Sequence, residues 1–224
     1  MGATAACRWS RPAAGQRGAA GRLVHGTIRV SGWNVAQVNQ NVSMNGTASR
    51  LWPARHRIVV DDRLRAGERL WAVGDVTGHG AFTHVATYQA GIIVRDILGQ
   101  DGLMADYRAL PRVTFTDPEV GSVGLTQAQA REAGVAVRVG VADVASTARG
   151  WIHKAGNAGV IKLIADADRG VLVGATSAGP NGGEVLGALA VAVHGEVTVE
   201  RLRHMIYAYP TFHRGIEDAL RDLS

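Results

Sequence analysis

The sequence predicts an α+β fold in which an antiparallel sheet is flanked by helices. Three observations lead to it: short apolar runs separated by tight turns between residues 112 and 178, a long apolar helix after them, and a final helix beyond Pro210. We expect three segments along the 224 residues, namely 1–55, 56–107 and 108–224.

Residues 1–55 form a basic head that is predicted to be disordered. The first 60 residues hold eight arginines and no acid, so this stretch carries +8 and the rest −3, giving the total of +5. Apolar periodicity is not sustained there, which is typical of disorder. A transit peptide and a truncated or misframed gene are the alternatives. A nucleic-acid partner is not expected, because no aromatic residues interleave with the arginines in a known binding pattern.

Residues 56–107 are predicted to form half of a larger α/β unit. The runs Arg57–Asp61 and Leu70–Val73 are typical of two short strands, and a helix is expected from about Phe82 to Leu98, ending at Gly99. Two strands and one helix cannot close a core by themselves, so further structure must complete this segment.

Residues 108–224 are predicted to form the sheet and its helices. Thr126 and Gln129 have the spacing of a capping box, Gly195 is placed to end an apolar helix, and Thr198 to begin a short one. The predicted strands are 112–116, 121–124, 135–143, 159–165 and 171–178. The predicted helices start at residues 126, 183, 198 and 212, the last two separated by a strand and turn over 205–210.

Composition excludes several classes of site. Cys7 is the only cysteine, so no disulfide, thiolate metal cluster or redox dithiol can form within these 224 residues. The histidines show no metal-ligand spacing, and no metal is expected. No run approaches the roughly 18 apolar residues of a membrane helix. We expect no membrane association and a cytoplasmic location.

The strongest chemical signal is the end of the strand Leu70–Val73. Gly74 and Asp75 follow it directly, and a helix starts some residues later. A carboxylate in this place can accept a hydrogen bond from a sugar-like hydroxyl, and the helix start presents N–H groups to an anion. The alternative is that Asp75 only caps a turn.

The order of residues here resembles a known flavin-binding motif. Ala72–Asp75, followed by His84–Ala86 and Gln89, is similar to the second flavin motif of the disulfide-reductase family, which includes dihydrolipoamide dehydrogenase, glutathione reductase and mercuric reductase. The resemblance implies FAD as the cofactor. It implies that Asp75 binds the ribityl chain and that the backbone at Thr83, His84 and Val85 faces the pyrimidine edge. The implied cofactor-binding residues are Gly74, Asp75, Thr83, His84, Val85 and Ala86.

The second half of the chain is similar to the same family. Pro111–Glu119, Val123–Thr126 and Gly174–Glu184 resemble parts of its dimerisation domain, so the resemblance extends from about residue 57 to residue 224. It implies that the chain forms a homodimer.

One departure from the family concerns acid–base chemistry. Thiol-reducing members carry His-Pro-x-x-x-Glu near the C-terminus, whereas Tyr209 and Arg214 stand at those His and Glu positions here. Tyrosine has a pKa of about 10, so it is a poor base at neutral pH but a fair hydrogen-bond donor. Tyr209 is the catalytic candidate by position. His213 and Glu217 stand four residues apart on the predicted last helix and could form a local pair, with His213 as a displaced base or as a surface residue.

Other motifs of the family are absent from the sequence. It contains no G-x-G-x-x-G and no C-x-x-x-x-C. The first hypothesis is therefore a truncated FAD-dependent oxidoreductase that is inactive alone and meets NAD(P)H only in a full-length form. The alternative is a non-enzymatic, stand-alone dimerisation module.

Overall fold

The computed structural model describes residues 57–223 and the backbone of two strands, Gly26–Val30 and Trp33–Gln37. The chain divides into two units, residues 1–106 and residues 107–224. We describe each unit by itself.

The first unit contains a four-stranded sheet and one long helix. Its elements are β1 (Gly26–Val30), β2 (Trp33–Gln37), β3 (Arg65–Gly67), β4 (Leu70–Val73) and α1 (Thr83–Ile97). The strand order is β1-β2-β4-β3, with β2 parallel to β4 and the other pairs antiparallel. α1 buries Ile92 and Ile93 against Leu64, Trp71 and Val73, which explains its apolar stripe.

Two strands lie within the head that was predicted to be disordered. β2 pairs with β4 over four residues, from Asn34 opposite Leu70 to Gln37 opposite Val73. β1 pairs with its neighbour β2 in an antiparallel hairpin, and β2 in turn pairs with β4, more than 30 residues further along the chain. Disorder of the head stays a prediction. The rest of residues 1–55 lies outside the described residues.

The strand predicted at Arg57–Asp61 is not formed. The side chain of Asp61 accepts hydrogen bonds from the backbone N–H groups of Arg63 and Arg65, at 2.9 and 2.8 Å, and so turns the chain. Leu64 completes the turn with a positive φ of 64° and is fully buried. The strand beside β4 therefore starts only at Arg65.

The second unit is built on a five-stranded antiparallel sheet of order β5-β6-β9-β8-β7. This confirms the predicted fold class. The strands are β5 (Pro111–Thr114), β6 (Glu119–Gly124), β7 (Val137–Asp143), β8 (Val160–Asp166) and β9 (Val171–Gly179). The helices are α2 (Gln127–Glu132), α3 (Ala148–His153), α4 (Gly182–His194), α5 (Val199–His204) and α6 (Gly215–Arg221).

Helices α4 and α6 cover different strands of this sheet. α4 packs on β5, β6 and β9 through Val185, Leu186 and Leu189, and α6 packs on β7 and β8. The capping box at Thr126 and Gln129 is confirmed, as is the cap at Thr198. α6 begins at Gly215 rather than Phe212, and residues 205–210 contain no strand.

Glycine is required where α6 meets the sheet. A Cβ on Gly140 of β7 would lie 2.1 Å from the carbonyl oxygen of Ala219 and 3.0 Å from Leu223. The backbone of α6 can approach β7 this closely only because position 140 has no side chain.

Candidate functional site

A tight turn follows β4 and carries the candidate carboxylate. Gly74 has φ 83° and ψ −153°, a conformation open to glycine, and residues Asp75–Thr77 form one turn of 3-10 helix. Val76 and Thr77 are buried, whereas Asp75 is partly exposed. The turn therefore directs Val76 and Thr77 inward and leaves Asp75 partly exposed.

The amide of Gln89 holds this turn from the second turn of α1. Its Oε1 accepts a hydrogen bond from the N–H of Gly74 at 2.6 Å, and its Nε2 donates to the hydroxyl of Thr77 at 3.0 Å. The hydroxyl of Thr77 donates in turn to the carbonyl oxygen of Gly74 at 2.8 Å. Sequence reasoning gave Gln89 no role of its own, because bonds between residues 12 and 15 apart leave no local pattern.

The start of α1 is the second part of the candidate site. Phe82 is its extended N-cap residue, and no side chain caps the helix there. Thr83 and His84 are exposed, Ala86 is half-buried, and Val85 is buried in the core. An uncapped helix start carries positive partial charge on its N–H groups, so this end can face an anionic ligand edge.

The predicted binding residues differ in exposure. Asp75 is partly exposed, and Thr83 and His84 are exposed at the helix start. Val85 faces the core, so any contribution from it comes from its backbone. His84 stacks on Phe82 at 5.0 Å between ring centroids, which fixes the orientation of its imidazole.

The loop between the turn and α1 contains His79. Partial burial, followed by the nearby charge of Arg57, lowers the pKa of His79. A neutral imidazole is therefore favoured at physiological pH.

Tyr209 lies in the loop between α5 and α6. Its side chain is 69% exposed, and the guanidinium carbon of Arg214 lies 5.5 Å from the centroid of its ring. Arg214 also forms an ion pair with Glu217 at 2.8 Å. The two residues that replace the family's His and Glu thus contact each other.

The local pair that the spacing of His213 and Glu217 allows is not formed. α6 begins only at Gly215, so His213 lies before it, and its ring contacts that of Tyr207 at 6.3 Å. Glu217 instead pairs with Arg214 and Arg221. The arginines outcompete the imidazole because they are permanently charged and reach the carboxylate along the helix surface.

Phe212 anchors the Tyr209 loop to α3. The ring of His153 meets its ring edge-on at 5.4 Å, and the guanidinium of Arg149 lies 5.5 Å from its centroid. Burial, with a smaller effect from Glu217, raises the pKa of nearby Tyr207, whose hydroxyl donates to the carbonyl oxygen of Leu202.

The described part of the chain has neither a metal-ligand cluster nor a membrane-spanning helix. Residues 57–223 contain no group of three or more His, Cys, Asp or Glu arranged to hold a metal ion. Over the same part, no helix has both the length and the apolar character needed to cross a bilayer.

Comparison with known proteins places the second unit in a family. Residues 110–220 match the family described as the pyridine nucleotide-disulphide oxidoreductase dimerisation domain. The C-terminal portion of the chain belongs to the pyridine nucleotide-disulfide oxidoreductase family. The antiparallel sheet with α4 and α6 on it is therefore that family's dimerisation domain.

Curated relatives extend the similarity toward the N-terminus. A mercuric reductase of Bacillus cereus is 34% identical over 168 residues, which is 75% of this chain and 26% of the relative. A dihydrolipoyl dehydrogenase of Mycobacterium leprae is 35% identical over 167 residues, or 73% of this chain and 35% of the relative. The chain thus spans only about a quarter to a third of these relatives.

Solved structures have the same fold over most of the chain. LpdA of Mycobacterium tuberculosis matches 90% of this chain with 48% of its own, at a TM-score of 0.69 and 23% identity. The Cu(II) complex of RclA of Escherichia coli, an HOCl-induced flavoprotein disulfide reductase, matches 91% of this chain with 50% of its own, at a TM-score of 0.66 and 26% identity. Matches that cover about 90% of the chain extend beyond the second unit and into the first.

Proposed function

We propose that the chain is the C-terminal part of an FAD-dependent oxidoreductase that passes electrons from NAD(P)H through the flavin. The observation that carries the proposal is the joint presence of the family's dimerisation domain and, before it, a strand that ends in Gly74–Asp75 and leads into an uncapped helix.

The residues of the first unit fit one end of FAD. Asp75 offers a partly exposed carboxylate, which suits the hydroxyls of a ribityl chain. The start of α1, at Thr83 and His84, offers backbone N–H groups and positive partial charge to the pyrimidine edge. FAD, when bound, would supply the hydride and electron chemistry, and these residues would bind it and orient it.

Tyr209 would act as a hydrogen-bond donor rather than as a base. Its exposed phenol is accessible to an acceptor molecule, and the guanidinium of Arg214, which is paired with Glu217, lies beside its ring. Because Arg214 replaces the family's Glu, the carboxylate that would orient a histidine is missing from this loop.

Self-association would use residues 108–224, which lie within the second unit. Large apolar side chains there are exposed to solvent, among them Phe115, Trp151 and Ile206, the last at 96%. Exposed apolar surface of this kind is typical of an interface, and a two-fold symmetric contact would bury it twice. We propose a cytoplasmic homodimer, with neither nucleic acid nor membrane as a partner.

Flavin affinity of this chain alone would be low. The segment that contacts the ribityl and pyrimidine parts accounts for one end of FAD, and the sequence has no G-x-G-x-x-G loop for the diphosphate. Binding requires that the free energy gained from contacts exceeds an ordering cost of several kcal/mol. We therefore expect FAD to bind only weakly, and we expect no NAD(P)H oxidation by this chain.

A titration tests this proposal. FAD added in excess to the purified chain should show weak, saturable binding by fluorescence, and Asp75→Ala should abolish it, while Asp101→Ala, an exposed aspartate after α1, should not. A purified chain that already carries stoichiometric FAD would contradict the low affinity. Binding that is unaffected by Asp75→Ala would contradict the assigned site.

A stand-alone dimerisation module is the second candidate. The single cysteine of the sequence favours it, since the redox dithiol of a disulfide reductase needs two. The two candidates differ in the same titration. A dimer without any saturable FAD binding would support the module, and FAD binding that depends on Asp75 would support the flavoprotein.

A further inference from the structure

We propose that Gln89 is a positioning residue that sets the geometry between the two parts of the candidate flavin site. Its side-chain amide joins the turn that carries Asp75 to the helix whose first turn holds Thr83 and His84. The name of the ligand rests on the proposed function, whereas the coupling between the turn and the helix rests on the contacts alone.

Hydrogen bonds join the side chain of Gln89, Gly74 and Thr77 to one another. The N–H of Gly74 and the hydroxyl of Thr77 are joined to one amide, and Gly74 accepts at its carbonyl from both the hydroxyl and the N–H of Thr77, at 2.8 and 2.9 Å. Each donor has an acceptor with consistent polarity. The backbone of Gly74 is thereby fixed at both of its polar groups.

Burial makes these bonds difficult to exchange for water. Gln89 is 0% exposed and Thr77 is 1% exposed. A buried donor or acceptor that loses its partner keeps its desolvation penalty, so the set is expected to hold or to break as a unit. Water cannot simply replace one member.

Gln89 interrupts an otherwise apolar stripe of α1. Val85, Ile92 and Ile93 are the other buried residues of that stripe, at the helical spacings of four and three residues. An amide in this position is unfavourable unless its polar groups are satisfied. The turn provides a donor for the amide oxygen, the N–H of Gly74, and an acceptor for the amide nitrogen, the hydroxyl of Thr77. The buried face of the helix therefore depends on the turn, and the turn on the helix.

The turn depends on this support because its backbone is unusual. Gly74 has a positive φ, and the next residue leaves the line of β4 to begin a 3-10 turn. Such a conformation persists when surrounding contacts determine it. The direction in which Asp75 leaves the strand is therefore set by an amide that lies fifteen residues away on α1.

Three variants separate positioning from simple stability. Gln89→Met keeps the length of the side chain and removes its hydrogen bonds to Gly74 and Thr77, and Thr77→Val keeps the shape of residue 77 and removes the hydroxyl. Thr77→Ser retains the hydroxyl and serves as the conservative rescue. Ile92→Val lies one turn further along the same buried stripe, so it lowers stability without touching the set of bonds.

Amide NMR spectra of the full chain provide the first measurement. Gln89→Met and Thr77→Val should lower the exchange protection of the Gly74 amide roughly tenfold, the effect of losing one buried hydrogen bond. Thr77→Val should also shift the amide signals of Asp75 and of Thr83 and His84, although Thr77 is outside α1. Thr77→Ser and Ile92→Val should leave these signals near their original positions.

Two outcomes would overturn the proposal. One is a Thr77→Val spectrum in which the signals of Thr83 and His84 do not move, and the other is an Ile92→Val spectrum that shifts them as much as Gln89→Met does. An FAD titration of the same variants tests the ligand separately. If the spectra change as expected and no variant or parent binds FAD, the coupling stands and the proposed flavin function fails.

Discussion

Trp71 and Asp96 are joined by a hydrogen bond from the indole N–H to Oδ2 at 2.9 Å, which links β4 to the last turns of α1. Asp96 also accepts two hydrogen bonds from Arg65, both at 2.6 Å, and its side chain is only 3% exposed. A carboxylate with this many donors is strongly stabilised in its ionised form.

Asp96→Asn should destabilise the first unit. The neutral amide has one acceptor oxygen, so it can accept from Trp71 or from Arg65 but cannot replace the charged carboxylate for both. We expect a loss of about 1–3 kcal/mol in the free energy of unfolding. Because Arg65 is about half exposed, its share of this loss is reduced by solvent. Urea denaturation measures it, with the exposed Asp101→Asn as the control, and equal stability of the two variants would contradict the prediction.

Stability should fall in acid through the same carboxylate. The hydrogen bonds from Arg65, and next those from Trp71 and Arg63, outweigh burial and hold the pKa of Asp96 below its ordinary value. A depressed folded-state pKa means that stability is fully present above the unfolded value of about 4 and is lost as the pH falls through the folded value. Denaturation curves between pH 7 and pH 3 should show a steeper loss for the parent than for Asp96→Asn. Parallel curves would rule out this role.

Gly140→Ala should destabilise the second unit. The added methyl would overlap the carbonyl of Ala219, which is backbone and cannot rotate away, so α6 must move off β7. Overpacking of this kind costs about 1–3 kcal/mol or more. Gly187→Ala is the matched control, because a Cβ there meets nothing within 4 Å and lies within α4, where alanine is favoured by about 0.5–1 kcal/mol. Calorimetry should show a lower melting temperature for Gly140→Ala and a higher one for Gly187→Ala than for the parent.

Ile206→Glu should weaken self-association. Ile206 is almost wholly exposed in the second unit, and a buried, unpaired charge in an interface is costly. Sedimentation at micromolar concentration should show a dimer for the parent and a larger monomer fraction for the variant. Leu103→Glu changes an equally apolar, exposed residue of the first unit and should leave the dimer intact. A parent that sediments only as a monomer would contradict the proposed homodimer itself.

Local patterns in the sequence predicted most of the second unit. The capping box of Thr126 and Gln129 acts over three residues, and β8 and β9 are joined by a short turn, so each could be recognised from its own neighbourhood. The place of β2 in the sheet could not, because its partner β4 lies more than 30 residues away in the sequence. The strand predicted over residues 57–61 is not formed because the side chain of Asp61 accepts hydrogen bonds from the backbone N–H groups of Arg63 and Arg65, and these bonds turn the chain.

A residue of the candidate site could be predicted only where its own side chain and its immediate sequence neighbours indicate the role. Asp75 after a strand is such a case. The amide of Gln89 and the carboxylate of Asp96 act through partners 15 and 25 residues away, and these contacts exist only once the helix has packed. Arg214 was recognised as a departure, but its contact with Tyr209 required the fold of the loop.

Helix α1 is attached to the same strand at two points, and this constrains how it can move. Gln89 bonds to the residue just after β4, and Asp96 bonds to Trp71 within it, seven residues or about 10 Å further along the helix axis. One attachment would leave the helix free to pivot, whereas two that are separated along the axis block both pivoting and sliding. Any movement of α1 away from β4 must therefore break both attachments, so the distance between the start of α1 and the sheet stays constant while they hold.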